Sequence, residues 1–214
     1  MNDDLTDITI VLDRSGSMSA VRADTIGGFN TFLADQKAEP EAANFSLFQF
    51  DTQYETVHSV RPLQDVPELT MRTFVPRGGT ALLDAIGRTI NETGARLDTM
   101  PEAKKPGKVL LVIMTDGEEN SSCEFTRPQI FDMITHQRDV YDWQIAFIGA
   151  NQDAIAVAGS MGIPASNSLN FVHTGEGTQT AMRTMSEATN KYRKGAKGQK
   201  ANYFIPEDEE AKDA

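Results

Sequence analysis

Apolar positions along the chain follow two alternating patterns: short continuous runs, and longer stretches in which they recur every three or four residues. The run Ile8-Thr9-Ile10-Val11-Leu12 is β-branched and stops at Asp13, which predicts a buried strand. Ile26, Phe29 and Leu33, with Phe32 beside them, then recur at helical spacing, predicting an amphipathic helix from about Ala20 to Gln36. Phe45 to Phe50 alternates apolar and polar positions over part of its length, and Tyr54 to Val60 can pair with it as a hairpin across Asp51-Thr52-Gln53. Leu82, Leu83, Ile86 and Ile90 mark a helix between Gly79 and about Leu97. Lys108 to Met114 contains the most apolar run of the chain and is expected to be a central strand, ending at Thr115-Asp116-Gly117.

The alternation continues to the end of the folded pattern. Thr126 followed by Pro128 reads as a helix start, with Ile130, Phe131 and Ile134 facing inward. Trp143 to Ile148 reads as a strand, Asp153 to Met161 as a small-residue helix, Ser168 to Val172 as a short strand, and Thr178 to Arg193 as a last helix. Strands alternating with helices predict an α/β fold: a doubly wound, Rossmann-like, mostly parallel sheet covered on both faces, with one antiparallel edge strand. The expected organisation is one domain over residues 1–194 and a flexible charged tail over 195–214. That tail is expected to be dispensable for folding. Docking of Tyr203-Phe204-Ile205 onto the domain is the alternative.

Composition narrows the classes. Hydrophobic residues at 39% can build a core, so disorder is excluded for most of the chain. The single cysteine, Cys123, permits no internal disulfide, which fits a reducing compartment. The acidic start Met1-Asn2-Asp3-Asp4 and the shortness of the Ile8–Leu12 run do not suit a signal peptide or a membrane span, so a cytoplasmic protein is expected. A net charge of −11 makes nucleic acid and anionic membrane poor partners for the surface as a whole.

Three segments fall beyond the carboxyl ends of strands, where ligands bind on such sheets. They are Asp13-Arg14-Ser15-Gly16-Ser17, Gly78-Gly79-Thr80 and Thr115-Asp116-Gly117. They hold hydroxyls and carboxylates, with no thiol and no imidazole. Hard oxygen donors of this kind suit magnesium, calcium or manganese better than zinc or copper. Alternate side chains of Asp13-x-Ser15-x-Ser17 can converge on one point, with Gly16 leaving room between the serines.

These residues resemble the metal-ion-dependent adhesion site of von Willebrand factor A domains, whose pattern is Asp-x-Ser-x-Ser, a distant Thr and a further Asp. Here the pattern is met by Asp13, Ser15, Ser17, Thr80 and Asp116, in the order and contexts the family shows. The flanks Ile10-Val11-Leu12 and Val112-Ile113-Met114, and Ala81-Leu82-Leu83-Asp84 after Thr80, are similar as well. Gly28-Phe29-Asn30-x-Phe32-Leu33 looks closest to small, stand-alone cytosolic bacterial or phage members. The resemblance implies that Ser15, Ser17 and Thr80 ligate a magnesium ion directly, with calcium or manganese possible. The two aspartates would act directly or through water. It further implies an adaptor that is not an enzyme, binding a protein partner whose Asp or Glu completes the ion's shell. The rival class is a metal-dependent hydrolase or phosphoryl-transfer enzyme using the same site. The sequence offers that class no nucleophile elbow, phosphate-binding Gly-rich loop or visible histidine base for Ser15.

The remaining polar residues receive plainer readings. Arg14 and Met18 are expected to face solvent or the site mouth, and Glu118, Glu119 and Asn120 to form a solvated rim. His58, His136 and His173 are scattered and expected to have no part in the site. Cys123 is expected to be buried. The basic residues Lys191, Arg193, Lys194, Lys197 and Lys200 are expected to be a solvated end.

Overall fold

The computed structural model describes residues 1–150, 153–196 and 202–204. Six strands form one sheet: β1 (Asn2–Asp13), β2 (Ala42–Phe50), β3 (Tyr54–Pro62), β4 (Pro106–Thr115), β5 (Gln144–Ala150) and β6 (Ser168–Phe171). Five helices connect them: α1 (Arg22–Ala38), α2 (Leu82–Thr99), α3 (Arg127–Val140), α4 (Ala154–Ser160) and α5 (Gly175–Lys194). The order across the sheet is β3-β2-β1-β4-β5-β6. Every pairing is parallel except β2 with β3, the hairpin at the edge. The expected doubly wound sheet with one antiparallel edge strand is therefore the fold.

The continuous apolar runs have the reason the pattern implied: both faces of the sheet are covered. Ile8, Ile10 and Leu12 of β1, with Leu110, Val112 and Met114 of β4, pack under Phe29, Phe32 and Leu33 of α1 and Met182 and Met185 of α5. Val11, Leu111 and Ile113 point the other way, against Leu82, Ile86 and Ile90 of α2 and Ile130 and Ile134 of α3. Phe131 was expected to face inward and instead is exposed, because its position on α3 points away from the Ile130–Ile134 stripe. Thr126 caps α3 reciprocally with Gln129, which fixes the helix start read from the sequence.

Arg193 is buried, not part of a solvated basic end. Its guanidinium donates to the Gln36 carbonyl and side chain at the end of α1. Lys108, from β4, donates its ammonium to carbonyls at the end of α5, including that of Gly195, where a cation complements the helix dipole.

Tyr203 and Phe204 take the docked alternative. The Tyr203 side chain is buried in the core beside α5, and its hydroxyl shares a 2.6 Å hydrogen bond with Thr189 Oγ1. Its N–H donates to Asn167 Oδ1, and Phe204 N–H to the Ser166 carbonyl. Residues 197–201 and 205–214 of the expected tail lie outside the described residues. Truncation after Lys194, or Tyr203→Ala, should cost about 3 kcal/mol, the usual loss for removing a buried aromatic ring, and truncation after Phe204 should cost little. Thermal melts of the three variants check this; equal melting temperatures would mean that Tyr203 contributes nothing.

Candidate metal centre

The strand order reverses between β1 and β4, so the loops leaving these neighbours diverge to opposite faces and open a crevice at their carboxyl ends. Asp13 is the last residue of β1, and Asp116 follows the last residue of β4. The sheet therefore delivers two of the five predicted residues to one place.

Backbone pairing between loops delivers the rest. Arg14 N–H donates to the Phe50 carbonyl, Arg77 N–H to the Arg14 carbonyl, and Gly16 N–H to the Gly78 carbonyl. The first loop is thus zipped to the segment that carries Thr80. Gly78 has φ of +67°, a conformation that L side chains rarely adopt. Thr80 is then clamped to the third loop: its N–H donates to Asn120 Oδ1 at 2.9 Å, and its carbonyl accepts from Asn120 N–H at 3.1 Å.

The side chains converge. Ser15 Oγ and Ser17 Oγ are 3.0 Å apart, and Ser17 Oγ donates to Asp116 Oδ1 at 2.7 Å. A methyl group built on Gly117 would lie 3.0 Å from Thr80 Oγ1, 3.6 Å from Ser17 Oγ and 3.8 Å from Ser15 Oγ. All three hydroxyls therefore lie within 4 Å of one point, and glycine leaves that point free of a side chain. Asp13 forms the floor, fully buried, with Oδ1 accepting from Ser15 N–H and Oδ2 from Thr115 Oγ1. Ser17 stands at the exposed mouth.

This set fits a divalent cation. Two oxygens on adjacent positions of an octahedral magnesium ion lie about 3.0 Å apart, given metal–oxygen bonds of about 2.1 Å. The serine–serine and serine–aspartate spacings already match that edge. Among the described residues, no group of three or more His, Cys, Asp or Glu could hold a metal by itself, so a cation at this point would need the hydroxyls as donors.

Burial pushes Asp13 up from the usual carboxylate value to about 6, against the opposing hydrogen bonds from Thr115 and Ser15. Burial also raises Asp116 and Asp7. Such groups bind protons more readily folded than unfolded, so their ionisation destabilises the metal-free fold as pH rises, for Asp13 from about 4 through 6. Asp84 and Glu124 are held low, Asp84 by the N–H groups of residues 123–125 and Glu124 by Arg88, and they lose stabilising charge only in stronger acid. Melts in EDTA should therefore give a higher melting temperature near about pH 5 than near about pH 7.5. The reverse order would contradict this account of the buried aspartates.

Several residues differ from their sequence-based reading. Arg14 and Met18 are buried. Arg14 Nε contacts Asp51 Oδ2 at 3.0 Å and Nη1 contacts Glu55 at 2.6 Å, while Arg77 approaches the same Asp51 oxygen at 2.8 Å. This cluster braces the first two loops from behind. Glu119 is no simple rim residue, because its carboxylate accepts from the N–H groups of Leu83, Ser121 and Ser122 and stiffens the third loop. Cys123 is exposed. His173, set aside by the sequence reading, places Nε2 2.8 Å from Asp116 Oδ2.

Comparison with known proteins follows the same outline. Residues 7–171 match the model of the von Willebrand factor type A domain. No curated protein matches by sequence. Among solved structures, the chain is similar to the von Willebrand factor domain of the type V pilus tip protein Mfa5 from Porphyromonas gingivalis, with a TM-score of 0.64 and 12% identity, covering 89% of this chain and 97% of that one. It is also similar to proximal thread matrix protein 1 of the mussel byssus in a form with a zinc-occupied MIDAS motif, with a TM-score of 0.60 and 13% identity over 85% of this chain. The chain spans 47% of that protein's length. The pilus adhesin SpaC of Lactobacillus rhamnosus GG gives a TM-score of 0.62 at 12% identity, over 90% of this chain and 30% of that one.

Proposed function

The chain belongs to the von Willebrand factor type A domain family, and from that premise we propose that it is a metal-dependent protein-interaction module that grips a carboxylate of its partner. The observation that carries this is the convergence of Ser15, Ser17 and Thr80 about one point beside Asp116. These residues, with Asp13 beneath, would hold the cation. A divalent ion there would supply an electrophilic position for an Asp or Glu side chain from outside. Neutral hydroxyls as direct donors leave its charge poorly neutralised, which favours an incoming anion over a neutral group. Magnesium suits the oxygen donors, with calcium or manganese as alternatives. The byssus protein of similar fold holds zinc in its MIDAS motif.

The chain's own residues do the rest. Asp13 fixes the Ser15 backbone, Asn120 fixes Thr80, and the Arg14–Asp51–Arg77 cluster fixes the two loops relative to each other. Met71, Val75 and Arg77 stand exposed on the segment leading to Thr80, which offers a partner both apolar and basic side chains. We place this adaptor in the cytoplasm, on the strength of the single cysteine and the acidic surface. The enzymatic rival has less support. Ser15 Oγ pairs with Ser17 Oγ, Ser17 Oγ donates to Asp116, and the His173 imidazole faces Asp116 and not a serine, so the described residues form no Ser–His pair of the kind that activates a nucleophile.

Affinity capture with magnesium, with EDTA, and with the Asp13→Ala protein tests the proposal. Partner recovery should require both magnesium and Asp13. A partner held equally well by Asp13→Ala in EDTA would place the interaction surface elsewhere.

A further inference from the structure

His173 lies in the turn between β6 and α5, far from the three motif segments in sequence. The turn is tightly built. Thr174 N–H donates to the Val172 carbonyl at 2.7 Å, and the Thr174 side chain caps α5 by accepting from Gly177 N–H. A methyl group on Gly177 would lie 2.0 Å from the Val172 carbonyl oxygen, so the helix start and the turn are pressed together. The imidazole therefore springs from a fixed base. It reaches over the carboxyl end of β5, which finishes in the small residues Gly149 and Ala150, to the end of β4. There Nε2 is 2.8 Å from Asp116 Oδ2, with the histidine side chain 17% exposed and the aspartate side chain fully buried.

Among the described residues, imidazole is the one donor at this site that is not a hard oxygen. A site of hydroxyls and carboxylates alone would favour magnesium, calcium or manganese, whereas imidazole suits zinc and the later transition metals. The 2.8 Å spacing is close to the separation of about 2.9 Å between neighbouring donors in a six-coordinate shell with bonds of about 2.0–2.1 Å, and a tetrahedral zinc would set them about 3.3 Å apart. The two side chains can thus share a cation by parting at most about half an ångström. We propose that His173 is a metal-selectivity residue, which supplies an imidazole donor beside Asp116 and raises the site's affinity for zinc relative to magnesium. This rests on the metal-site reading above and adds to it the choice of ion.

A purely orienting role for His173, holding Asp116 by a hydrogen bond, predicts something different. Zinc and magnesium affinities would then fall together when the histidine is lost, and an amide that keeps the hydrogen bond would restore both. The experiment is calorimetric titration of the full chain with zinc and, separately, magnesium, for wild type, His173→Ala and His173→Gln. Melting temperatures in EDTA serve as the folding control, and the imidazole nitrogen NMR signals of His173 are followed during the zinc titration. The expected result is a loss of about 10–100-fold in zinc affinity for both variants, with magnesium affinity changed by less than about threefold and the His173 signals shifted by zinc. Parallel loss for both ions, unchanged zinc affinity, or signals indifferent to zinc would overturn the proposal while leaving the metal site standing. Failure of wild type to bind either ion would instead overturn the metal-site reading itself.

Discussion

Asp13→Ala and Thr80→Ala should each abolish the stabilisation that magnesium confers, with little change in the metal-free fold. The reasoning differs for the two residues. Asp13 is fully buried and its carboxylate is uncomfortable there, as its elevated pKa of about 6 records. Its removal forfeits two hydrogen bonds, from Ser15 N–H and Thr115 Oγ1, worth about 1 kcal/mol each. It also relieves a burial cost of similar or greater size, since one pKa unit corresponds to about 1.4 kcal/mol. The two effects nearly cancel in EDTA. Thr80 lies outside the apolar clusters, and its backbone clamp to Asn120 survives substitution. At magnesium about 100 times the dissociation constant, wild type should gain about 2.7 kcal/mol, or roughly 5–10 °C in melting temperature for a domain of this size. Neither variant should gain more than a small fraction of that. A full magnesium shift in either variant would show that the ion binds elsewhere.

Gly117→Ala is expected to have a comparable effect by a different route. It removes no donor and no charge. Its methyl group would sit at the point surrounded by Thr80, Ser17 and Ser15, closest to Thr80 Oγ1 at 3.0 Å. Backbone strain is not at issue, because Gly117 is not among the residues of positive φ. Metal affinity should fall about 10–100-fold, as it does when a site's surroundings are disturbed. The melting temperature in EDTA should stay within a few degrees of wild type. Isothermal titration with manganese measures the first quantity and differential scanning calorimetry the second. Wild-type affinity in the alanine variant would mean that the three hydroxyls do not converge on the ion.

Where sequence and structure agree, the signal was local. Ile8 to Leu12 and Val109 to Met114 announce buried strands because parallel strands need apolar residues on both faces. The polar residues that end those runs, Asp13 and Thr115-Asp116, mark the crevice because the chain must turn there. Asp13-x-Ser15-x-Ser17 is readable for the same reason: its convergence is a property of five consecutive residues. What escaped depends on distant segments. Arg14 sits inside the motif, yet its burial is decided by Asp51 and Glu55 on the β2–β3 hairpin. Arg193 looked like one of several surface cations until Gln36, at the far end of α1, took its guanidinium. His173 has no ligand spacing to betray it, because only the side-by-side order of β4, β5 and β6 brings it to Asp116. Tyr203 stands in a polar context, and nothing nearby in sequence reveals that Thr189 and Asn167 await it.

The most direct test of the central claim is a crystal soaked in manganese chloride, with data collected to reveal anomalous scattering from the metal. The account predicts one strong peak between Ser15, Ser17 and Thr80, at about 2.1–2.3 Å from their hydroxyl oxygens, with Asp13 and Asp116 close by. No peak at that position at saturating manganese, in crystals whose crevice is open to solvent, would contradict it.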